Sequence, residues 1–327
     1  MDQQKRVLQT GAVAVVFAIT LRLLGGGFLP SVGELLQNQR VLSLVAYFHT
    51  GRVVRFPHPV QPRPPEEVPD EPTVVPEDTR PVFFAGELTG VNYGCSYRPD
   101  LDKLLCKPLI WDLYADAPTV LILHSHATES FTKAPGDSYK QHAAYRTLNE
   151  DYNMVSIGRE VVRILKEAGI NVVHDTTYHD YPSYNKAYTN ARASIQEYLK
   201  QYPTIQLVLD LHRDASEGTG GQMVTVGSVG GQRSAQLMVV VGTDAGGNVH
   251  PDWQENLALG LKLTAILERS DPGVTRQVNL RSARFNMDLT PGSLLIEVGA
   301  AGNTRAEAML AAGALARGIL ELAKGSS

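Results

Sequence analysis

The hexapeptide His124-Ser-His-Ala-Thr-Glu129 follows directly on the apolar run Thr119-Val-Leu-Ile-Leu123. Two imidazoles and a carboxylate thus emerge together where a strand should end. Zinc accepts nitrogen and carboxylate oxygen ligands, and a catalytic zinc site uses three protein ligands and keeps one position open. In His126-Ala-Thr-Glu129 both side chains can reach one ion from a single loop or helical turn. A later histidine, His212, stands at the end of Leu207-Val-Leu-Asp-Leu-His-Arg-Asp214, and Glu297 closes the apolar run Ser293-Leu-Leu-Ile-Glu297. A carboxylate placed there is costly without a partner. As a general base it would take the proton of an attacking water and return it to the leaving amine. Singly, each residue has an ordinary reading, a hydrogen-bonded loop histidine or a salt-bridged glutamate. Their joint occurrence at predicted strand ends points to a metal-dependent hydrolase.

The elements that must position these groups are legible from hydrophobic period. Strands are expected at 119–123, 171–174, 205–211, 236–241 and 293–298, and helices at 153–168, 184–201, 253–269 and 304–323. Continuously apolar strands alternating with helices predict an α/β fold, with a mostly parallel twisted sheet covered by helices on both faces. Ligands of such sheets gather at the carboxyl ends of strands. Asn303 is expected to cap the last helix, because asparagine is a favoured N-cap.

The rest of the chain sets location and size. Of the 327 residues, 1–30 read as a cytoplasmic tip and transmembrane anchor, with Lys5 and Arg6 ahead of an apolar stretch that only Arg22 interrupts. Basic residues on that side favour a cytoplasmic N-terminus and an exported remainder; a cleaved signal peptide is the rival reading. Residues 31–55 have amphipathic helical spacing, 56–81 form a Pro/Glu-rich tether, and 82–327 carry the hydrolase pattern. A net charge of −4 gives no reason to expect a nucleic-acid partner. Cys95 and Cys106 fit either a small disulfide-closed loop or two free thiols.

Taken in order, His124-Ser-His126-Ala-Thr-Glu129, Arg146-Thr with Asn153-Met-Val-Ser-Ile-Gly158, His174-Asp, His179-Asp-Tyr-Pro182, Leu211-His-Arg-Asp214 and Ile296-Glu-Val-Gly299 resemble the successive motifs of the stage II sporulation protein P family. The resemblance implies an exported, membrane-anchored zinc hydrolase of the N-acetylmuramoyl-L-alanine amidase fold class. Such a protein degrades septal peptidoglycan during forespore engulfment, with amidase and endopeptidase activities. It implies partnership with stage II sporulation protein D, a glycan-strand lytic enzyme, and with the membrane protein stage II sporulation protein M. It also implies His212 as a metal ligand and Glu297 as the catalytic carboxylate. Related amidases place their first histidine just beyond the strand end, which selects His126; His124 then becomes a supporting or substrate-contacting group, or the ligand itself. Glu129 is the implied carboxylate ligand, with Glu150, just ahead of a helix, as the alternative.

Neighbouring motif residues have paired readings. Asp210 and Asp214 flank His212 and can accept its free N–H, or Asp214 can serve as a cap or ion-pair partner. Arg213 can bind a stem-peptide carboxylate or pair with Asp214. His179, Asp180 and Arg192 can wall a groove, although Asp180 reads better as packing of the Tyr181-Pro182 turn. Two other function classes stay open: a zinc carboxypeptidase of related fold, and a non-catalytic wall-binding scaffold.

Overall fold

A strand that is apolar at every position needs cover on both of its faces, and the computed structural model of the chain supplies it. The structure describes residues 88, 90–109, 111–215, 217–218 and 221–324. Along the chain these form β1 (Val91–Gly94), α1 (Leu101–Leu105), β2 (Val120–Leu123), α2 (Met154–Glu167) and β3 (Val172–His174). A 3-10 turn, Tyr184–Lys186, leads into α3 (Ala187–Gln201) and then β4 (Leu207–Asp214). Two small hairpins follow, β5–β6 (Glu217–Gly218, Gly221–Gln222) and β7–β8 (Gly227–Val229, Gln232–Ser234). The chain continues through β9 (Leu237–Gly242), α4 (Trp253–Ser270), β10 (Val278–Arg281), β11 (Ser293–Ala300) and α5 (Arg305–Lys324).

The main sheet has the order β1-β10-β9-β11-β4-β2-β3. All neighbours run parallel except β9 and β11, which pair antiparallel. The sheet is therefore mostly parallel, as its apolar strands predict, but it consists of two parallel blocks of opposite direction. Helix boundaries fall within a residue or two of expectation, except that the third helix opens with the 3-10 turn. The polar Asn92 and Asn279 interrupt the apolar runs of β1 and β10, which is why period alone misses those strands.

Within β2 the side chains alternate. Leu121 and Leu123 pack with Ala191 and Ile195 of α3, whereas Val120 and Ile122 join Ile157 and Val161 of α2. All four strand residues are fully buried, and burial of each such side chain contributes roughly 1.5–3 kcal/mol. The two helices thus cover opposite faces. The chain leaves β2 for β3 on one side and returns from β3 to β4 on the other, so the sheet order reverses between the carboxyl ends of β2 and β4. That crevice is where an open α/β sheet binds ligands, and it receives the residue after Leu123 and the end of β4.

Three expectations change in detail. His212 lies inside β4 rather than beyond its end, because that strand extends past its apolar run, and Glu297 lies inside β11 as expected. The last helix is capped by Thr304: Glu307 N–H donates to Thr304 Oγ1 at 3.3 Å and Thr304 N–H to Glu307 Oε2 at 2.9 Å, a reciprocal capping box. Asn303 instead braces Thr225, accepting from its N–H at 3.1 Å and donating to its carbonyl at 2.8 Å. Cys95 and Cys106 are both free thiols. The expected anchor, amphipathic segment and tether lie outside the described residues; among those described, no helix is long and apolar enough to cross a membrane.

The glycine in α2 governs how closely that helix approaches the sheet. A Cβ at Gly158 would stand 2.6 Å from the ring Nε2 atoms of both His124 and His174. Alanine at a helix interior ordinarily gains about 0.5–1 kcal/mol over glycine. Here the overlap reverses the sign, and Gly158→Ala is expected to cost about 1–3 kcal/mol, read as a lowered thermal midpoint of the purified protein.

Candidate active site

The chain turns sharply after β2, at residues 125–128, and the turn separates the two histidines. His124 keeps the β2 alternation, faces α2 and is fully buried. Its Nδ1–H donates to the Leu211 carbonyl at 3.0 Å, and its Nε2 lies 2.9 Å from His174 Nε2. A carbonyl can only accept, so His124 Nε2 carries the lone pair and His174 donates to it. Both ring nitrogens of His124 are therefore in use. His126 leaves the alternation and meets His212 edge-on, with ring centroids 5.2 Å apart.

Two strands present the rest. In the parallel pair β4–β11, Glu297 is the register partner of His212, which puts both on one face. The register slips between Glu297 and Ala300, and Gly299 adopts φ 74° there, with Ala235 Cβ 2.7 Å from where its own Cβ would lie. A bulge beside a site re-aims side chains and ends pairing, which gives the Glu-Val-Gly motif a physical reason. Glu297 Oε2 is buried and has no hydrogen-bond partner among the described residues. Burial, reinforced by the nearby Glu129 and Asp214 carboxylates, pushes its pKa to about 8, while His212 pulls the other way.

Glu129 is buried opposite His212, its Oε2 3.6 Å from His212 Nδ1. It accepts from Arg213 N–H at 3.2 Å and from Arg146 Nη2 at 3.3 Å. Burial favours the neutral acid, but the Arg213 and His212 charges outweigh it and hold the carboxyl at about 2. His212 Nε2 stands 2.9 Å from Asp210 Oδ1. Burial opposes charge on this imidazole, yet Asp210, Tyr188 and Glu129 hold its pKa well above the usual value. Asp210 is fixed in turn by the backbone N–H and hydroxyl of Ser125.

Of the residues expected near the metal, the structure brings together His126, Glu129, Asp210, His212 and Glu297; Arg213 and Asp180 border that group, and the remaining residues find partners of their own. Glu150 pairs with Arg159. Asp214 pairs with Arg276 at 2.8 Å rather than orienting His212. Arg213 is an internal strut, donating from Nε to the Ser130 carbonyl at 3.0 Å and from Nη2 to that of Tyr145 at 2.9 Å. His179 contacts Asp175 at 3.1 Å, and Arg192 makes two 2.8 Å bonds to Asp288. Asp180, read as turn packing, proves to be buried beside His126, bonded to Thr128 and Arg146. Sequence reasoning gave no role to Tyr184, which stacks on His126 at 4.5 Å, or to Tyr188, whose ring lies 6.2 Å from that of His212. Their i, i+4 spacing at the entry to α3 was the available signal.

The donor types suit zinc: two imidazoles and one carboxylate, with His126 Nδ1 and Glu297 Oε2 buried and without a hydrogen-bond partner among the described residues. No group of three His, Cys, Asp or Glu side chains among the described residues stands ready to hold an ion, because Glu129 is turned to two arginines and His212 to Asp210. The donor set fits the metal; the side-chain rotamers are those of an ion-pair network.

A mostly parallel α/β sheet with histidines and carboxylates at its switch point defines the class. The profile of the stage II sporulation protein P family matches residues 67–320, and the chain belongs to that family. It is 25% identical over 215 residues to stage II sporulation protein P of Bacillus subtilis (strain 168), a match covering 62% of this chain and 50% of that protein. The chain thus matches about half the length of that relative. Among solved structures it is similar to the N-acetylmuramoyl-L-alanine amidase AmiC2 of Nostoc punctiforme (16% identity, 62% of this chain and 95% of that one, TM-score 0.37). It is also similar to the CwlD amidase of Clostridioides difficile, solved with the GerS lipoprotein (14%, 63% and 98%, TM-score 0.39). These superpositions are loose, and the fold assignment rests on the sheet order itself.

The buried His124–His174 pair makes acid stability testable. Burial lowers the pKa of His124 to about 4, and burial with the His124 charge lowers that of His174 to about 3. Unfolded histidine titrates near 6.5, so below that pH the unfolded chain binds protons that the native pair refuses. Stability from this pair is therefore intact above pH 6.5 and lost progressively as pH falls toward 3. Urea midpoints measured from pH 7 to 4 should fall more steeply for wild type than for His174→Asn, which removes one of the two sites.

Proposed function

We propose that this chain is a zinc-dependent hydrolase that cleaves amide bonds in peptidoglycan stem peptides, acting during sporulation. The observation that carries the reading is the convergence of His126, Glu129, His212 and Glu297 at one sheet edge, three of them potential ligands and the fourth a buried carboxylate with a pKa near neutrality. His126, Glu129 and His212 would hold the ion, which when bound polarises the scissile carbonyl and acidifies water. Glu297, aligned with His212 across the strand pair, accepts the proton of the attacking water and delivers it to the departing amine. A pKa near the operating pH suits a group that must do both. Asp210 orients the His212 ring, and Tyr184 and Tyr188 wall the crevice beside His126 and exclude water there.

Family membership supports the wall substrate and the sporulation setting, and the name of the B. subtilis relative carries the sporulation setting. We read residues 1–30 as an anchor and 56–81 as a tether that keep the domain on the wall-facing side of one membrane. Stage II sporulation proteins D and M are the partners this setting calls for.

Digestion of purified sacculi by the full chain tests the reading. Muramic lactyl groups stripped of peptide would report amidase cleavage, new termini within the stem would report endopeptidase cleavage, and loss of a terminal residue alone would report a carboxypeptidase. Glu297→Gln is expected to keep zinc and lose about 10²–10⁴-fold in turnover, while His212→Ala loses the metal as well. Undiminished lysis by both variants would instead mark a wall-binding scaffold.

A further inference from the structure

One carboxylate outside the candidate ligand set touches both arms of the hexapeptide. Asp180 lies on the segment between β3 and α3, and its side chain is completely buried. It accepts from the Thr128 backbone N–H at 3.3 Å and from the Thr128 hydroxyl, which ties down the turn between His126 and Glu129. It accepts from Arg146 Nη1 at 2.8 Å, and the other arm of that guanidinium donates to Glu129 at 3.3 Å. The same Asp180 oxygen stands 4.0 Å from His126 Nδ1, a buried nitrogen with no hydrogen-bond partner among the described residues.

Burying a carboxylate is unfavourable unless its oxygens are fully engaged, and Arg146 alone would pair it. The additional approach to His126 is not needed for that pairing. A histidine that binds a metal through one ring nitrogen ordinarily donates its other N–H to a carboxylate, carbonyl or water, which fixes tautomer and ring orientation. The gap at Asp180 is about 1 Å longer than an N–H···O bond, a distance that a small rotation of the ring or the carboxylate closes. Stacking on Tyr184 limits how far the ring can tilt about its Cβ–Cγ bond.

Resting on the zinc-hydrolase reading, we propose that Asp180 is the positioning residue of the metal centre: it accepts the Nδ1–H of His126, which assigns Nε2 to the ion, and through Arg146 it sets the Glu129 carboxylate.

Zinc affinity of the full chain, measured by competition with a chelator, tests this. Asp180→Asn keeps an oxygen for Thr128 and Arg146 but presents no charge. It should bind zinc 10–100-fold more weakly than wild type, with a thermal midpoint of the metal-free protein that accounts for none of the loss. Equal zinc affinity in the two proteins would overturn the proposal while leaving the hydrolase reading intact; a wild type that binds no zinc would remove both. Should Asp180→Asn fail to fold, ¹⁵N shifts of His126 in zinc-loaded wild type decide: a protonated Nδ1 supports the assignment, and a metal-bound Nδ1 overturns it.

Discussion

The structure is organised around a buried carboxylate that must be paired. Glu129 sits on a turn against the sheet, where an isolated charge would be prohibitively unfavourable. Three cations answer it: the His212 imidazole, the Arg213 backbone and guanidinium, and Arg146. Each has its own geometric cost. Arg213 is held by the Tyr145 carbonyl, and Tyr145 adopts φ 52° to present it, a conformation that costs a non-glycine residue of order 1–3 kcal/mol. Arg146 is shared with Asp180, which pulls the segment after β3 over the crevice.

That network is also a poised site. Against burial, Asp210 and Glu129 raise the pKa of His212 above its ordinary value, whereas the metal ligand proposed there would need that imidazole neutral. Glu297 shows the complementary behaviour: no hydrogen bond engages its Oε2 among the described residues, and burial outweighs the pull of His212 and Arg213 to raise its pKa to about 8.

Sheet topology explains why these groups meet. Crossovers on opposite faces part the chain between β2 and β4, so the turn carrying His126 and Glu129 opens beside His212. The antiparallel pairing of β9 with β11 reverses direction at the middle of the sheet, and it confines the carboxyl ends of the first block to the far edge. The site therefore draws on the carboxyl ends of β2, β4 and β11, on Arg146 and Asp180 from the connecting segments, and on the α3 entry.

Much of this was legible in the linear chain. Apolar runs located β2, β4, β9 and β11, 3.6-residue spacing located the helices, and the run ends marked the histidines and carboxylates that gather at the carboxyl end of the sheet. Those are local properties, fixed by which side chains can be buried and which cannot. Other features depended on three dimensions. Whether His124 or His126 enters the crevice follows from where the turn breaks a two-residue alternation, and no sequence period records that. The separation of Asp214 and Arg192 from the site depended on distant partners, Arg276 and Asp288, whereas His179 turns to Asp175 only four residues earlier. Asp180 changed most, from a packing residue to a neighbour of His126, because electrostatic proximity across about fifty residues is created only when the sheet closes. Sequence determined the chemistry available to this protein; tertiary structure decided which groups share one low-dielectric space, and so which of them can act together.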